Sequence, residues 1–229
     1  MANFAKRTAS AKRTHKLSLA GVREDYRRGS FGEENCETNP IVQFEKWFKE
    51  AQVIDYKEPN AMTLATASAD GRPSARIVLL KEVSDAGFVF YTNYTSPKAQ
   101  DLETNPRCAL TFYWSELERQ VRVEGQAHRI THEQSEAYFR TRPKGSKLGA
   151  WASHQSEVVA GREVLEAKLA ELQVKYSGVD DVPVPEFWGG YCVVPECIEF
   201  WQGRTNRMHD RLRYRRKGET GWIIERLSP

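Results

Sequence analysis

The chain has 229 residues, of which 40% are hydrophobic and 28% are charged, with a formal net charge of +3. This composition is ordinary for a globular protein and too apolar for a disordered one. The longest apolar runs, such as 77–80, are much shorter than the ~20 residues that a membrane-spanning helix needs. No signal-peptide core follows Met1, so we expect a cytoplasmic protein without a membrane partner, made of one large domain or two small ones.

The N-terminal segment is basic. Its cations are Lys6, Arg7, Lys12, Arg13, Lys16 and Arg23, and its first acid is Glu24. This pattern predicts an unstructured basic tail, and we expect residues 1–38 to form a flexible segment. An organelle transit peptide shares the composition, so organelle targeting remains an alternative.

The four cysteines are Cys36, Cys108, Cys192 and Cys197. None of them forms a CxxC pair, and no histidine cluster accompanies them at zinc spacing. We therefore expect reduced thiols and no bound metal.

The predicted elements begin with a helix. Asn39-Pro40 has the pattern of an N-cap followed by proline at the first helical position, and apolar residues at helical spacing continue to about residue 53. From residue 61 the period changes to two, which predicts strands over 62–67, 75–83 and 88–92. A short helix is predicted over 97–104, strands over 108–114 and 119–127, and helices over 132–140 and 162–176.

A Pro-rich loop at 180–185 precedes the last predicted strands, which span 190–194, 198–202, 211–215 and 222–226. The pattern contains about nine strands with interspersed helices and no βαβαβ alternation. It favours a mainly β protein with helices, in which an antiparallel barrel-like sheet is formed by one domain over residues 39–229.

Residues 76–81 read Arg-Ile-Val-Leu-Leu-Lys inside a predicted strand. Alternate side chains of a strand face the same side, so Arg76 and Lys81 leave opposite faces unless a bulge intervenes. From spacing alone, solvated charges at the strand ends are the better interpretation.

Two further segments suit a phosphate group. Residues 91–98 end a strand, turn through serine and threonine and begin a helix that carries Lys98, although many strand-to-helix turns look alike. Residues 140–147 place four cations and Ser146 around a Pro-Gly turn just after Tyr138. Arginine, lysine and hydroxyl donors of this kind hold a phosphate monoester, but a solvated basic loop would have the same composition.

The segment 199–211 combines an aromatic pair at a strand end with a turn that carries Arg207, His209, Asp210 and Arg211. A lone histidine is usually satisfied within the fold. The density of titratable neighbours nevertheless favours a functional role for His209.

Together these segments closely resemble the pyridoxine/pyridoxamine 5′-phosphate oxidase family. The resemblance covers residues 39–229 and includes RIVLLK at 76–81, YTN at 91–93, YFRTRP at 138–143, EFWQG at 199–203, NRMHDR at 206–211 and ERLSP at 225–229. It implies a split β-barrel, a homodimer and FMN bound in a cleft shared by both subunits. It also implies oxidation of pyridoxine or pyridoxamine 5′-phosphate to pyridoxal 5′-phosphate, with dioxygen as acceptor and hydrogen peroxide as product.

The resemblance implies site residues by position. Implied FMN contacts are Arg76, Ile77, Val78, Leu79, Leu80, Lys81, Tyr91, Thr92, Lys98, Gln120, Gln155, Ser156, Trp201 and Arg211. Implied substrate contacts are Lys81, Tyr138, Arg142, Ser146, Arg207 and His209, with Arg23 and Tyr26 as matches near the N terminus. Arg207 and His209 are the implied catalytic residues, flanking the pyridine ring.

The implied FMN contacts fall into two groups, Arg76 to Lys98 and Gln155 to Arg211, which the resemblance places on different subunits. One position departs from the family. Pro97 stands where arginine is usual, so one implied ligand of the FMN phosphate is missing.

Two other functions remain as alternatives. The same fold could serve a non-catalytic carrier of FMN or pyridoxal phosphate, although a carrier would not need Arg207 and His209 beside the flavin. A nucleic-acid-binding protein using the basic tail is the weaker alternative, because no recognition motif is found and the net charge is only slightly positive.

Overall fold

The computed structural model of the chain describes residues 21, 25–54, 57–179, 181–218 and 221–229. Its α-helices are Pro40–Val53 (α1), Pro97–Thr104 (α2), His132–Thr141 (α3), Lys144–Ala152 (α4) and Arg162–Lys175 (α5). Its strands are Ala61–Ala67 (β1), Pro73–Leu79 (β2), Glu82–Ser84 (β3), Gly87–Asn93 (β4), Arg107–Trp114 (β5), Arg119–Arg129 (β6), Trp188–Gln202 (β7), Asp210–Lys217 (β8) and Gly221–Arg226 (β9). Short 3-10 turns lie at Glu33–Asn35, Ser115–Leu117 and Thr205–Arg207.

The strands form a single antiparallel sheet in the order β2-β1-β5-β6-β7-β4-β3, and β8 and β9 extend it from β7. The two ends of this order, β2 and β3, are joined by Leu80 and Lys81 alone. The sheet therefore curls until its ends meet, and the prediction of a mainly β, barrel-like fold with helices is confirmed.

The predicted strand over 75–83 is broken where the barrel closes. The Leu80 N–H donates to Asn60 O, beside β1, whereas the Lys81 N–H donates to Val89 O of β4, both at 2.8 Å. The chain thus changes hydrogen-bonding partners between two consecutive residues. The single predicted strand was wrong, because strand periodicity does not reveal which neighbour accepts the hydrogen bonds.

The predicted strands over 190–194 and 198–202 are one continuous strand, β7. Its register against β6 shifts where Glu124 pairs with Cys197 and Gly125 pairs with Pro195, which leaves Glu196 as a bulge. On its other edge β7 pairs with β4 before the bulge and with β8 after it. The bulge is therefore the point at which the barrel splits.

Aromatic side chains fill the barrel. Helix α1 begins where predicted, with the Asn39 side chain accepting the Ile41 N–H at 2.8 Å. It inserts Phe44, whose ring centroid lies 5.1 Å from that of Phe88 and 4.9 Å from that of Phe112. Burying a side chain of this size contributes roughly 1.5–3 kcal/mol, so α1 is an integral part of the barrel.

The segment predicted to be flexible, 1–38, is only partly described. Within it Phe31 is 3% exposed, and its ring centroid lies 4.9 Å from that of Trp47. The N–H of Phe31 also donates to the Asp210 carboxylate at 3.0 Å. The chain near Phe31 is therefore packed on the barrel rather than free.

Helix α4 was not predicted. The Pro-Gly turn expected at 143–145 is the start of this helix, with Pro143 at the N-cap position. Leu148 of α4 packs against Leu172 of α5, and the Trp151 Nε1–H donates to Pro183 O at 2.7 Å. Proline is tolerated at a helix start, and burial of Leu148 outweighs the turn preference of glycine. Across the described ranges, no helix is long and apolar enough to span a membrane.

Candidate active site

A cleft of about 920 Å³ opens beside β2, between β4, the start of α2, and helices α3 and α4. This volume is typical of a site for a small organic ligand. Most residues implied by the resemblance line it, namely Arg76, Ile77, Val78, Leu79, Lys81, Tyr91, Thr92, Lys98, Tyr138, Arg142, Ser146, Gln155 and Ser156.

Lys98 is a buried cation in this cleft, with 8% of its surface exposed. Its Nζ donates to Gln155 Oε1 at 2.7 Å, to Ser96 Oγ at 3.2 Å and to Thr92 Oγ1 at 3.3 Å, all of which are neutral acceptors. Burial, with a smaller contribution from Arg76, lowers the pKa of Lys98 to about 8. The fold therefore holds this ammonium group in place with no counter-ion from the described residues.

Arg142 is a second cation held without a full set of partners. Its guanidinium carbon lies 4.8 Å from the centroid of Trp188 and 5.3 Å from that of Phe139. Its Nη1 is buried and has no hydrogen-bond partner among the described residues, and burial lowers its pKa. An unsatisfied buried donor costs about 1–3 kcal/mol, which an anionic ligand would offset.

Arg76 and Lys81 add two more positive charges to the lining. Within the described part of the chain, none of the four cations Arg76, Lys81, Lys98 and Arg142 takes part in an ion pair with a carboxylate. Arginine and lysine in this state are suited to phosphate oxygens.

One wall of the cleft is aromatic. The ring of Tyr91 stacks on Tyr138 with centroids 4.0 Å apart, and it stacks on Trp188 at 5.2 Å. Burial raises the pKa of Tyr91 to about 12, so its hydroxyl is neutral at physiological pH. The cleft thus joins a flat apolar surface to a set of unpaired cations, an arrangement that suits a planar ring carrying a phosphate.

A second cluster of implied residues lies outside this cleft. Tyr26, Trp201 and His209 form a ring contact group, with centroids 4.7 Å apart for Trp201 and His209 and 5.7 Å apart for Tyr26 and His209. The Arg204 N–H donates to His209 Nδ1 at 3.1 Å, so the neutral ring carries its proton on Nε2. Burial, followed by the charges of Arg207 and Arg211, lowers the pKa of His209.

Gln120, Trp201 and Arg211 are register partners on β6, β7 and β8, so their side chains share the outer face of the sheet. The Arg211 guanidinium donates to Glu199 Oε1 and to Ser228 O, both at 2.8 Å. None of the three lines the cleft of its own chain.

Three more residues implied by the resemblance, Arg207, His209 and Leu80, do not line the cleft. Arg207 is exposed on the turn before β8 and is absent from the lining of the cleft, as is His209. Leu80 is buried, with 6% of its surface exposed, and belongs to the core. Arg23 lies outside the described residues.

The structure divides the implied FMN contacts differently from the expectation. Gln155 and Ser156, expected with Arg211, line the cleft with Lys98, and Gln155 is hydrogen-bonded to Lys98. The reason is that the segment after α4 returns to the start of α2, where Gln155 accepts the hydrogen bond of Lys98. Only Gln120, Trp201 and Arg211 stay apart within one chain.

Several lining residues were missed from the sequence, among them Ser74, Asn93, Ser153 and Trp188. Ser74 precedes Arg76 by two residues, so the strand period could have placed both on one face. Trp188 is the second residue of the sequence Phe-Trp-Gly-Gly-Tyr at 187–191, but no local signal pairs it with Tyr91 across β4 and β7.

Comparison with known proteins gives two family matches. The pyridoxamine 5′-phosphate oxidase family matches residues 48–176, and the pyridoxine 5′-phosphate oxidase C-terminal dimerisation region matches residues 188–229.

Curated relatives span nearly the whole chain. The pyridoxine/pyridoxamine 5′-phosphate oxidase of Rubrobacter xylanophilus is 59% identical over 92% of this chain and 96% of its own length. The protein of the same name from Acaryochloris marina is 53% identical over 93% of this chain and 96% of its own length.

Solved structures agree with these matches. PhzG from Burkholderia lata 383, in complex with tetrahydrophenazine-1-carboxylic acid, superposes with a TM-score of 0.81 at 34% identity, covering 86% of this chain and 95% of PhzG. A pyridoxamine 5′-phosphate oxidase-related, FMN-binding protein from Nostoc punctiforme has a TM-score of 0.66 at 15% identity, over 85% of this chain and all of its own, which shows a shared fold.

Proposed function

This chain belongs to the pyridoxine/pyridoxamine 5′-phosphate oxidase family, and from that premise we propose that it is an FMN-dependent oxidase of vitamin B6 metabolism. The reaction converts pyridoxine or pyridoxamine 5′-phosphate to pyridoxal 5′-phosphate, with dioxygen as acceptor and hydrogen peroxide as product. The identity of 59% to a relative of that name, over 92% of this chain, carries the proposal.

The residues of the cleft fit the cofactor and the substrate. Each ligand carries a phosphate. In the described part of the chain, the cations of the cleft lack carboxylate partners, and the buried Nη1 of Arg142 makes no hydrogen bond. We propose that Arg76 and Lys98 bind the FMN phosphate, with Thr92, Gln155 and Ser156 beside them. When bound, FMN supplies the redox chemistry, accepting two electrons from the substrate and passing them to dioxygen.

The substrate phosphate is assigned to Lys81, Tyr138, Arg142 and Ser146, which line the same cleft. Anchoring the phosphate uses binding energy remote from the reacting 4′ carbon to fix that carbon in position. The stacked rings of Tyr91 and Tyr138 exclude water from that side of the cleft.

Arg207, His209 and Tyr26 do not line the cleft of their own chain, and they need a second subunit to reach one. The chain forms a homodimer, in keeping with the match of residues 188–229 to a dimerisation region. We propose that the partner presents Arg207 and His209 to the substrate ring, together with Trp201, Gln120 and Arg211 to the flavin. Arg207 and His209 then orient the ring and stabilise the charge that develops as a hydride leaves.

Two smaller proposals concern the location of the protein and the extent of the oxidase unit. We infer a cytoplasmic location, which suits the free thiols of Cys36, Cys108, Cys192 and Cys197. We also infer that residues 39–229 form the oxidase unit, to which the chain near Phe31 adds packing.

The absorption spectrum of the purified protein tests the proposed function. We expect a flavin band that bleaches on anaerobic addition of pyridoxine 5′-phosphate and returns when air is admitted. A flavin band that never bleaches would instead support the carrier alternative. Absence of flavin binding after incubation with FMN would contradict both.

A further inference from the structure

Arg76 has an unusual set of partners for an arginine in a cleft. Its Nη1 donates to Thr66 Oγ1 at 2.8 Å and to Leu64 O at 3.2 Å, and its Nη2 donates to Ser74 Oγ at 2.7 Å. All three acceptors are neutral. The guanidinium is therefore fixed on its strand side, while its positive charge remains available to the cleft.

Thr66 connects this guanidinium to a carboxylate. Its hydroxyl is buried, with 3% of the residue exposed, and it donates to Asp101 Oδ2 at 2.6 Å. A hydroxyl has a single proton to donate. Because Asp101 takes that proton, the lone pairs of Thr66 Oγ1 are directed to Arg76, and the hydrogen bonds run from Arg76 through Thr66 to Asp101.

The strand register and the helix spacing bring Thr66 within hydrogen-bonding distance of both Arg76 and Asp101. Thr66 of β1 is paired with Ser74 of β2, so the Arg76 side chain lies diagonally across the strand pair from Thr66 and on the same face. Asp101 follows Lys98 by three residues on α2, about one helical turn. Helix α2 therefore presents Lys98 to the cleft and Asp101 to Thr66.

The electrostatics of Arg76 agree with this arrangement. Burial lowers the pKa of the Arg76 guanidinium, whereas the charge of Asp101 raises it. A carboxylate in direct bidentate contact would occupy the donors of the guanidinium and compete with a phosphate. With the Thr66 hydroxyl between them, Asp101 favours the charged arginine without taking the donors that a ligand needs.

We propose that Thr66 and Asp101 are positioning residues for the FMN phosphate, acting through Arg76. This inference rests on the proposed binding of FMN in the cleft. Thr66 holds the guanidinium at the angle from which it meets a phosphate oxygen, and Asp101 fixes the direction of the Thr66 hydroxyl.

The test compares the affinity of the full-length protein for FMN with its affinity for riboflavin, which lacks the phosphate, by quenching of flavin fluorescence. We expect Thr66→Val, which removes only the hydroxyl, to weaken FMN binding about tenfold, the usual effect of losing a hydrogen bond to a charged group. Thr66→Ser should keep the wild-type FMN affinity. Asp101→Asn should weaken FMN binding about threefold, because the bond survives and the charge does not.

Riboflavin affinity should stay within about twofold in all three variants, since no phosphate is involved. Thr104→Val is the matched control: it replaces a threonine hydroxyl on α2 whose hydrogen bonds, among the described residues, go to the backbone carbonyls of Gln100 and Asp101. It should leave both flavin affinities unchanged.

Three results would overturn the inference. They are an unchanged FMN affinity in Thr66→Val, an equal loss of FMN and riboflavin affinity, and a failure of Thr66→Ser to retain binding. If Thr66→Val does not fold, the other two variants decide. The inference is then overturned by an unchanged FMN affinity in Asp101→Asn, by an equal loss of FMN and riboflavin affinity in that variant, or by a loss of binding in Thr66→Ser. A wild-type protein that binds neither flavin would contradict the proposed function itself, and the inference with it.

Discussion

The cleft and the turn before β8 hold their functional side chains in opposite ways. Lys98 and Arg142 lie in the cleft between strands and helices, and neutral neighbours hold both side chains before any ligand binds. Arg207 is exposed on a 3-10 turn, with φ values of 54° at Asn206 and 60° at Arg207. Such left-handed values cost energy in residues other than glycine and are found at functional sites.

The turn has its own support, which comes from distant parts of the chain. Asp210 accepts hydrogen bonds at 3.0 Å from the Phe31 N–H, from Arg204 and from Arg226. Burial raises the pKa of Asp210, but these hydrogen bonds outweigh it and the pKa lies below its usual value. The cleft is thus preorganised to bind a ligand, whereas the turn holds Arg207 at the surface, where the proposed contact with a second subunit requires it.

The largest expected effect is a loss of kcat when the side chains of the turn before β8 are removed. We expect Arg207→Ala and His209→Ala each to lower turnover by about a hundredfold, the usual effect of losing one group that stabilises developing charge. FMN affinity should remain within a few-fold of wild type. Steady-state kinetics and FMN titration check this, with Met208→Ala as the control because that side chain is 68% exposed between the two. Wild-type turnover in both variants would remove these residues from the catalytic assignment.

Substitution of a cation in the cleft should weaken substrate binding and leave turnover nearly unchanged. We expect Arg142→Met to raise KM for pyridoxine 5′-phosphate about thirtyfold, because a charge-assisted bond to phosphate contributes roughly 1.5–3 kcal/mol. The melting temperature of the ligand-free variant should not fall, since no described residue of the wild type accepts a hydrogen bond from the buried Arg142 Nη1. A loss of stability with unchanged KM would make Arg142 a structural residue instead.

A pH effect follows from the low pKa of Lys98. The free protein loses this proton around pH 8, whereas a bound phosphate would keep the amine charged, so FMN binding takes up a proton above that pH. We expect FMN affinity to fall about tenfold between pH 7 and pH 9. Lys98→Arg should abolish this fall, because arginine stays charged. An equally steep fall in Lys98→Arg would assign the titration to another group.

The smallest expected effect concerns Pro97. It is exposed at the first position of α2 and lines the cleft. An arginine there should add a screened contact to the FMN phosphate of about 1 kcal/mol, so Pro97→Arg should tighten FMN binding about fivefold. Pro97→Ala is the control for loss of the proline ring alone. Equal FMN dissociation constants for Pro97→Arg and wild type would show that another group already fills that role.

The sequence by itself determined most of the helices and strands, and it supplied the residues that are proposed to meet the ligands. Helix α1 was predicted to its first residue because Asn39 caps it locally. Strand β5 was predicted within one residue because its period-two burial is a local pattern, and β4 because a short apolar run after a turn is also a local signal. Ordered motifs such as RIVLLK and NRMHDR identified the family without any contact information.

Tertiary structure decided how these residues group. Only the closure of the sheet shows that the strand breaks at Leu80, and only the packing of Leu148 on Leu172 turns a Pro-Gly segment into helix α4. Gln155 lies 57 residues from its partner Lys98 along the chain, a separation that no periodic pattern encodes. Local preferences act over a few residues, whereas the edge that accepts a hydrogen bond, the side chain that fills a void and the charge left unpaired are set by segments far apart in sequence.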